Sequence, residues 1–268
     1  MRRSFSWLAV LPLLLAACAS NDNGGDTGGG ETQAPPAIPA ISYTLKRAYP
    51  HDTASFTEGL SFYNGQLWEG TGQEGRSYLL QTDLQTGTPV RKVKIDSTLF
   101  GEGVYVFRDT VYQLTWRNKK ALLYDAKSLK LLQTLDYPRE GWGLTSNGTE
   151  LIASDGSSNL YFLEPGTLRL LRTQGVTENG TPLPMLNELE YINGFIWANV
   201  WQTNDIVKID AASGQVVGRM NLDSVAQLAK SKNPTANEMN GIVYHPETKK
   251  FYVTGKNWPE LYEIEVPL

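Results

Sequence analysis

The chain repeats itself with a period of about forty-five residues, which restricts it to an architecture made by stacking one unit several times. Five segments open alike: "FTEGLSFYNGQLWEGTG" from Phe56, "FGEGVYVFRDTVYQLTW" from Phe100, "GWGLTSNGTELIASDG" from Gly141, "LNELEYINGFIWANVW" from Leu186 and "MNGIVYHPETKKFYVTGK" from Met239. Each has a polar, mostly Gly-containing start, an apolar strand, a turn and a second strand rich in aromatic or β-branched residues. Four of them are followed by another hairpin: "YLLQTDLQTGTPVRKVKI", "ALLYDAKSLKLLQTLDY", "LYFLEPGTLRLLRTQGV" and "DIVKIDAASGQVVGRMNL". Two hairpins give four antiparallel strands, the blade of a β-propeller. With Glu58, Glu102, Trp142, Asn187 and Asn240 as the repeating mark, the intervals are 44, 40, 45 and 53 residues. Five marks mean an all-β, five-bladed β-propeller. A β-sandwich spaces its strands similarly but does not explain the repeated openings.

Ring closure follows from the same count. The last stretch, "FYVTGKNWPELYEIEVPL", lacks a fourth strand, and "ISYTLKRAYP" from Ile41 is expected to supply it. In the long fourth interval, Leu222, Val225, Leu228 and Ala229 have helical spacing and predict a short helix over one face.

The N-terminus reads differently. "MRRSFSWLAVLPLLLAACAS" has two arginines and an apolar stretch too short to span a bilayer as a normal helix, as in a signal peptide. Its end, Leu15-Ala16-Ala17-Cys18, resembles a bacterial lipoprotein box. That resemblance implies cleavage before Cys18 and a lipid on its thiol, and Ala19 after it favours the outer membrane. An ordinary signal peptide with an incidental cysteine is the alternative. Cys18 is the one cysteine of the chain, so no internal disulfide forms. Residues 20–40 are rich in Gly, Pro and Asp without apolar periodicity, the composition of a flexible tether. The expected organisation is a signal peptide over 1–17, a lipid-anchored tether over 18–40 and the propeller over 41–268. Losing Arg2 and Arg3 moves the net charge from −4 to −6. A mildly acidic chain without a basic run argues against a nucleic-acid partner. A closed ring with no exposed heptad favours a monomer.

In a propeller the start of each first strand and the end of each second strand lie on one face, near the axis. Glu58, Glu102, Trp142 and Asn187 occupy first-strand starts, and Trp116, Asp155, Trp201 and Lys256 occupy second-strand ends. One channel mouth is therefore expected to gather aromatic walls (Phe56, Phe100, Trp116, Trp142, Trp201), the carboxylates Glu58, Glu102, Asp155 and Glu188, the carboxamide of Asn187 and the cation Lys256. Apolar walls raise a carboxyl pKa and equip it to move protons. Each residue alone also fits a plainer role: tryptophans as packing, Lys256 and Glu102 in solvated turns, Asn187 as a turn cap. The convergence of the set is what points to a site. The two histidines, His51 and His245, lie in no spaced ligand cluster, no calcium-loop pattern appears, and no Gly-x-Ser-x-Gly elbow is present. No metal site is expected.

These motifs together resemble the plant and bacterial type of glutaminyl-peptide cyclotransferase. The resemblance runs from "HDTASFTEGL" through "FGEG", "GWGL", "SDGSSNLYFLEP", "LNELEYINGFIWANVWQT" and "MNGIV" to "VTGKNWPELYEIEV". It implies a five-bladed propeller that converts the N-terminal glutamine of peptides or proteins to pyroglutamate, releasing ammonia without a cofactor. It makes Glu102 the catalytic acid/base and places Phe56, Phe100, Trp116, Trp142, Asn187, Trp201 and Lys256 in the pocket. Glu58 stands where plant members carry Gln and other members Glu; ionised, it would favour a cationic substrate amine and oppose its deprotonation. The chemistry so implied is attack of the α-amine on the γ-carboxamide, with Glu102 relaying the proton and Asn187 and Lys256 holding the amide. Two other readings fit a propeller: a tethered peptide-binding scaffold, and a calcium-dependent hydrolase such as a lactonase.

Overall fold

The computed structural model describes residues 37–267, which lie in one compact unit. The expected signal peptide, Cys18 and residues 18–36 of the tether fall outside the described residues. Strand β1 (Thr44–Pro50) precedes four consecutive blades. They are β2 (Thr57–Tyr63), β3 (Gln66–Thr71), β4 (Tyr78–Thr82) and β5 (Pro89–Lys94); β6 (Gly101–Phe107), β7 (Thr110–Thr115), β8 (Lys120–Asp125) and β9 (Leu131–Asp136); β10 (Leu144–Ser146), β11 (Leu151–Ala153), β12 (Asn159–Leu163) and β13 (Leu170–Gly175); and, after the small hairpin β14 (Thr177–Glu178) and β15 (Thr181–Pro182), β16 (Leu186–Ile192), β17 (Phe195–Val200), β18 (Asp205–Asp210) and β19 (Val216–Asn221). Helix α1 (Asp223–Lys232) then leads to β20 (Met239–His245), β21 (Lys250–Gly255) and β22 (Glu260–Glu265). The fifth sheet has the order β1-β22-β21-β20, so β1 supplies the outer strand and closes the ring. Its register runs from Thr44 opposite Glu265 to Pro50 opposite Glu260. The five-bladed propeller expected from the repeat is what the chain forms.

Local chemistry explains the blades. Between the third and fourth strands, an acidic side chain caps a turn three residues on: Asp83 with Thr86, Asp125 with Ser128, Glu164 with Thr167 and Asp210 with Ser213. The next residue, Gly87, Leu129, Leu168 or Gly214, takes a left-handed φ between 55° and 73°. The β2–β3 and β16–β17 hairpins turn on Asn64-Gly65 and Asn193-Gly194, all at positive φ, the pair that matches strand twist. Helix α1 buries Val225 and Ala229, with Leu222 buried at its start, as its spacing predicts. Apolar clusters knit neighbouring blades: Trp197 of β17 meets Phe251 of β21 at 5.3 Å between centroids.

Packing begins before Ile41. Ile38 packs on the core between the third and fourth blades. Pro39 O accepts from Arg219 N at 3.0 Å, Ile41 N donates to Arg219 O at 2.8 Å, and Ala40 bridges Arg219 in parallel. Residues 38–40, expected as free tether, lie along β19 because their backbone satisfies its open edge.

The axis is where the repeat matters most. The inner pairs of four blades slip register at the marked position: Thr57/Gly59, Gly101/Val104, Leu186/Leu189 and Met239/Ile242. Such bulges re-aim a side chain while the strand continues. Beside them, Gly103 donates its N–H to Trp142 O at 2.8 Å, and a Cβ there would sit 2.4 Å from that oxygen. The glycine thus lets two inner strands touch.

Candidate active site

Three of the bulges turn Glu58, Glu102 and Asn187 into the channel mouth, where Trp142 of the unbulged third blade joins them. Phe56, Glu58, Phe100, Glu102, Trp116, Trp142, Asn187, Trp201 and Lys256 all line one cavity of about 370 Å³. Gln73, which sequence reasoning missed, completes it. Two of the expected carboxylates lie elsewhere. Asp155 is taken up by its own turn, accepting from Ser157 N at 3.1 Å and Ser157 Oγ at 2.5 Å. Glu188 is wholly buried and bridges blades below the mouth, accepting from Leu60 N at 3.3 Å and Ile242 N at 2.7 Å. It occupies the position held by Gly59, Gly103 and Gly241 in other repeats, so its side chain reaches across the axis where theirs are absent.

The walls form two aromatic groups. Phe56 meets Phe100 edge-on at 6.3 Å, and Phe100 meets Trp116 at 5.5 Å. Trp142 and Trp201 meet edge-on at 5.4 Å. Glu140 ties the groups together: its Oε2 accepts from Trp116 Nε1 at 2.9 Å and from Trp142 Nε1 at 3.3 Å. Its sequence signal is faint, being only a carboxylate two residues before the third mark. The wall tryptophans are half-buried, whereas Trp68, Trp197 and Trp258 are wholly buried packing. Both roles considered for tryptophan therefore occur, at different positions.

The polar groups differ in how well they are held. Lys256 Nζ sits 2.9 Å from Glu58 Oε1 and 4.6 Å above the Phe56 ring. Asn240 Nδ2 donates to Glu58 Oε2 at 3.0 Å and to Thr57 O at 3.1 Å. Burial raises the Glu58 carboxyl to about 7, against the opposing pull of Lys256. Glu102 is buried and carries no hydrogen bond among the described residues. Burial first, and then the charge of Glu58, hold it well above the usual carboxyl range. Asn187 Oδ1 is buried without a partner. The cavity thus offers a carboxyl whose pKa is raised, a carbonyl oxygen unpaired among the described residues and one held cation between aromatic walls. Among the described residues no cluster of His, Cys, Asp and Glu has the makings of a metal site.

Comparison with known proteins bears on the family and the fold. The family model described as glutamine cyclotransferase matches residues 10–266. A glutaminyl-peptide cyclotransferase of Arabidopsis thaliana is 37% identical over 221 residues, covering 81% of this chain and 69% of that protein. The crystal structure of Myxococcus xanthus glutaminyl cyclase aligns with a TM-score of 0.80 at 34% identity, covering 86% of this chain and 98% of that one.

Proposed function

Because the chain belongs to the glutamine cyclotransferase family, we propose that it cyclises the N-terminal glutamine of peptides or proteins to pyroglutamate, with Glu102 relaying the proton and no metal taking part. The observation that carries this reading is Glu102 itself: a buried carboxyl, raised well above its usual range and without a hydrogen bond among the described residues, in a cavity walled by aromatic rings.

The reaction joins two ends of one residue. The α-amine nitrogen bonds to the γ-carboxamide carbon, and the bond from that carbon to the amide nitrogen breaks. The catalyst's main task is to hold the folded rotamer, which is worth up to about 7–11 kcal/mol in well-oriented intramolecular reactions. Phe56, Trp116, Trp142 and Trp201 form the mould and exclude the water that would hydrolyse the amide. As the amine attacks, its nitrogen becomes positive and the carbonyl oxygen negative. Lys256 faces the oxygen as a fixed cation. The Oδ1 of Asn187 accepts from the substrate nitrogen.

A neutral carboxylic acid suits the remaining step. Its O–H donates to the departing nitrogen while its carbonyl oxygen accepts the proton of the new ring nitrogen. Ammonia leaves neutral, and Glu102 begins and ends protonated. Such proton transfer is typically worth about 10²–10⁴-fold in rate. Glu58 keeps Lys256 in place through their ion pair.

The lipoprotein-like end supports a further part of the reading: the enzyme is tethered to a bacterial cell envelope through Cys18. The closed ring supports its acting there as a monomer.

The deciding experiment incubates the full chain and a chelator with peptides that begin with glutamine, and follows their mass. Loss of one ammonia, confined to N-terminal glutamine, is the expected result. Peptides bound but unchanged would overturn the reading and leave a peptide-holding propeller.

A further inference from the structure

A peptide substrate does not end at its first residue, and the chain beyond glutamine must leave the aromatic cavity. A second cavity, of about 390 Å³, lies beside it over the outer strands of the first blade. Gln73 lines both cavities. Two chain segments also pass from one to the other: Ser55 faces the second cavity and Phe56 the first, and Asn257 the second and Lys256 the first.

Gln73 is built for this seam. It holds φ at 85°, a left-handed conformation that a non-glycine residue rarely adopts. Its backbone oxygen accepts from Arg76 N at 3.0 Å and Ser77 Oγ at 2.8 Å, which fixes the turn. Its side-chain carboxamide has no hydrogen bond among the described residues, although it is half-buried. A free donor and acceptor on the ridge between two cavities matches a peptide group crossing it.

The second cavity has a charge bias. Arg76 and Lys92 line it, and neither makes an ion pair among the described residues. Lys92 Nζ lies 4.4 Å over the Tyr78 ring. The opposing charge is Asp52, whose Oδ1 already accepts from Ala54 N at 2.9 Å. Two cations that form no ion pair among the described residues thus outnumber one carboxylate.

We propose that this recess is the subsite for the second and third residues of the peptide, that Gln73 binds the first peptide group, and that Arg76 and Lys92 favour a carboxylate there. The inference rests on the cyclotransferase reading and adds its substrate preference. The carboxylate has two sources, an Asp or Glu side chain or the C-terminus of a short peptide.

The test compares Gln-Asp-Ala-amide, Gln-Ala-Ala-amide and Gln-Lys-Ala-amide with Gln-Ala-Ala bearing a free C-terminus, using the full chain. Either carboxylate-bearing peptide is expected to exceed the neutral one in kcat/KM by about three- to tenfold, the range of one or two exposed ion pairs, with the lysine peptide slowest. The free C-terminus and the aspartate read the two sources separately. The ratio within one enzyme is the readout, so partial loss of folded protein cancels. In the double variant Arg76→Gln/Lys92→Gln, and at high salt, the ratio is expected to fall towards one. Equal rates for all four peptides, or a ratio that the double variant does not move, would overturn the subsite. If no peptide cyclises, the activity fails instead. Calorimetry with the same peptides then decides the subsite: tighter binding of those carrying carboxylates supports it, and equal binding overturns it.

Discussion

Glu58 Oε1 and Lys256 Nζ meet at 2.9 Å, although one opens the first blade and the other follows the second strand of the fifth. Asn240 holds the other oxygen of Glu58 at 3.0 Å. The seam where the ring closes is thus also where the cavity's cation is fixed. The consequence falls on Glu102, which lies in the same cavity with no ion pair of its own among the described residues. Lys256 is paired with Glu58, while burial and the charge of Glu58 raise the pKa of Glu102.

Replacing Glu102 by Gln tests that division. The substitution preserves shape and removes the transferable proton. Turnover is expected to fall by about 10²–10⁴-fold or more. The thermal midpoint should not fall, because no hydrogen bond among the described residues is lost and a buried ionisable group is removed. Near-normal kcat in a folded Glu102→Gln protein would take Glu102 out of the mechanism.

The pH dependence follows from the same protonation. The substrate must present a neutral amine, whose ordinary pKa is about 7.7–8.0, so kcat/KM rises through that range. At higher pH, ionisation of Glu102 removes the acid that the leaving nitrogen needs, and the rate declines. A profile that stays flat to high alkaline pH would mean that Glu102 acts only as a base.

Glu140 supplies a separate test, because it touches the walls and not the reacting groups. Its Oε2 accepts from both Trp116 and Trp142. Glu140→Ala is expected to loosen the mould and raise KM about three- to tenfold, the value of one or two net hydrogen bonds. Glu140→Gln keeps an acceptor oxygen and should stay closer to the parent. Equal KM values in all three proteins would mean that the tryptophans hold their positions without it.

The sequence made much of this legible because the propeller repeats. Five similar openings predicted the blades, and the blade geometry then brought Phe56, Trp142 and Lys256 to one mouth. The closure by β1 followed from a missing strand. What escaped was whatever breaks the repeat. Glu188 replaces a glycine, and alternation along a strand does not tell a side chain crossing the axis from one lining the mouth. Asp155 follows its strand by two residues, far enough to join a turn. Gln73 and Glu140 lie in loops, where position depends on φ values and hydrogen bonds that no periodicity encodes.

The glycines beside Glu102 carry a structural prediction. A Cβ on Gly103 would lie 2.4 Å from Trp142 O and 2.9 Å from the carbonyl carbon of Gly143, and backbone atoms cannot turn away as a side-chain tip can. Gly103→Ala must push the second and third inner strands apart or lose the bond from Gly103 N to Trp142 O. A destabilisation of about 1–3 kcal/mol is expected, measured as a lower denaturant midpoint, and activity should fall with it because Trp142 lines the cavity. An unchanged midpoint would show that the inner strands separate freely.

Stability should fall as pH rises from mildly acidic to mildly alkaline. Glu58 and Glu190 are buried, and burial raises their folded values to about 7 and about 8 from an ordinary 4.5. Glu102 and Glu188 are raised as well, each chiefly by burial. Above 4.5 the unfolded chain gives up these protons while the folded protein keeps them, so unfolding gains with every step in pH until the folded groups also ionise. His51 acts in the same direction. Burial alone would lower its pKa, but Glu69 at 3.2 Å raises it, and the stability from its protonated form is lost as pH climbs through that raised value. The cleanest probe is Glu190→Gln, which lies outside the cavity and can still accept from Tyr244 N, 3.1 Å away in the parent. Thermal midpoints at pH 5.5 and 8.5 are expected to be closer together in this variant than in the parent. A parent protein with equal midpoints at both values would show that these carboxyls ionise in the fold at no cost.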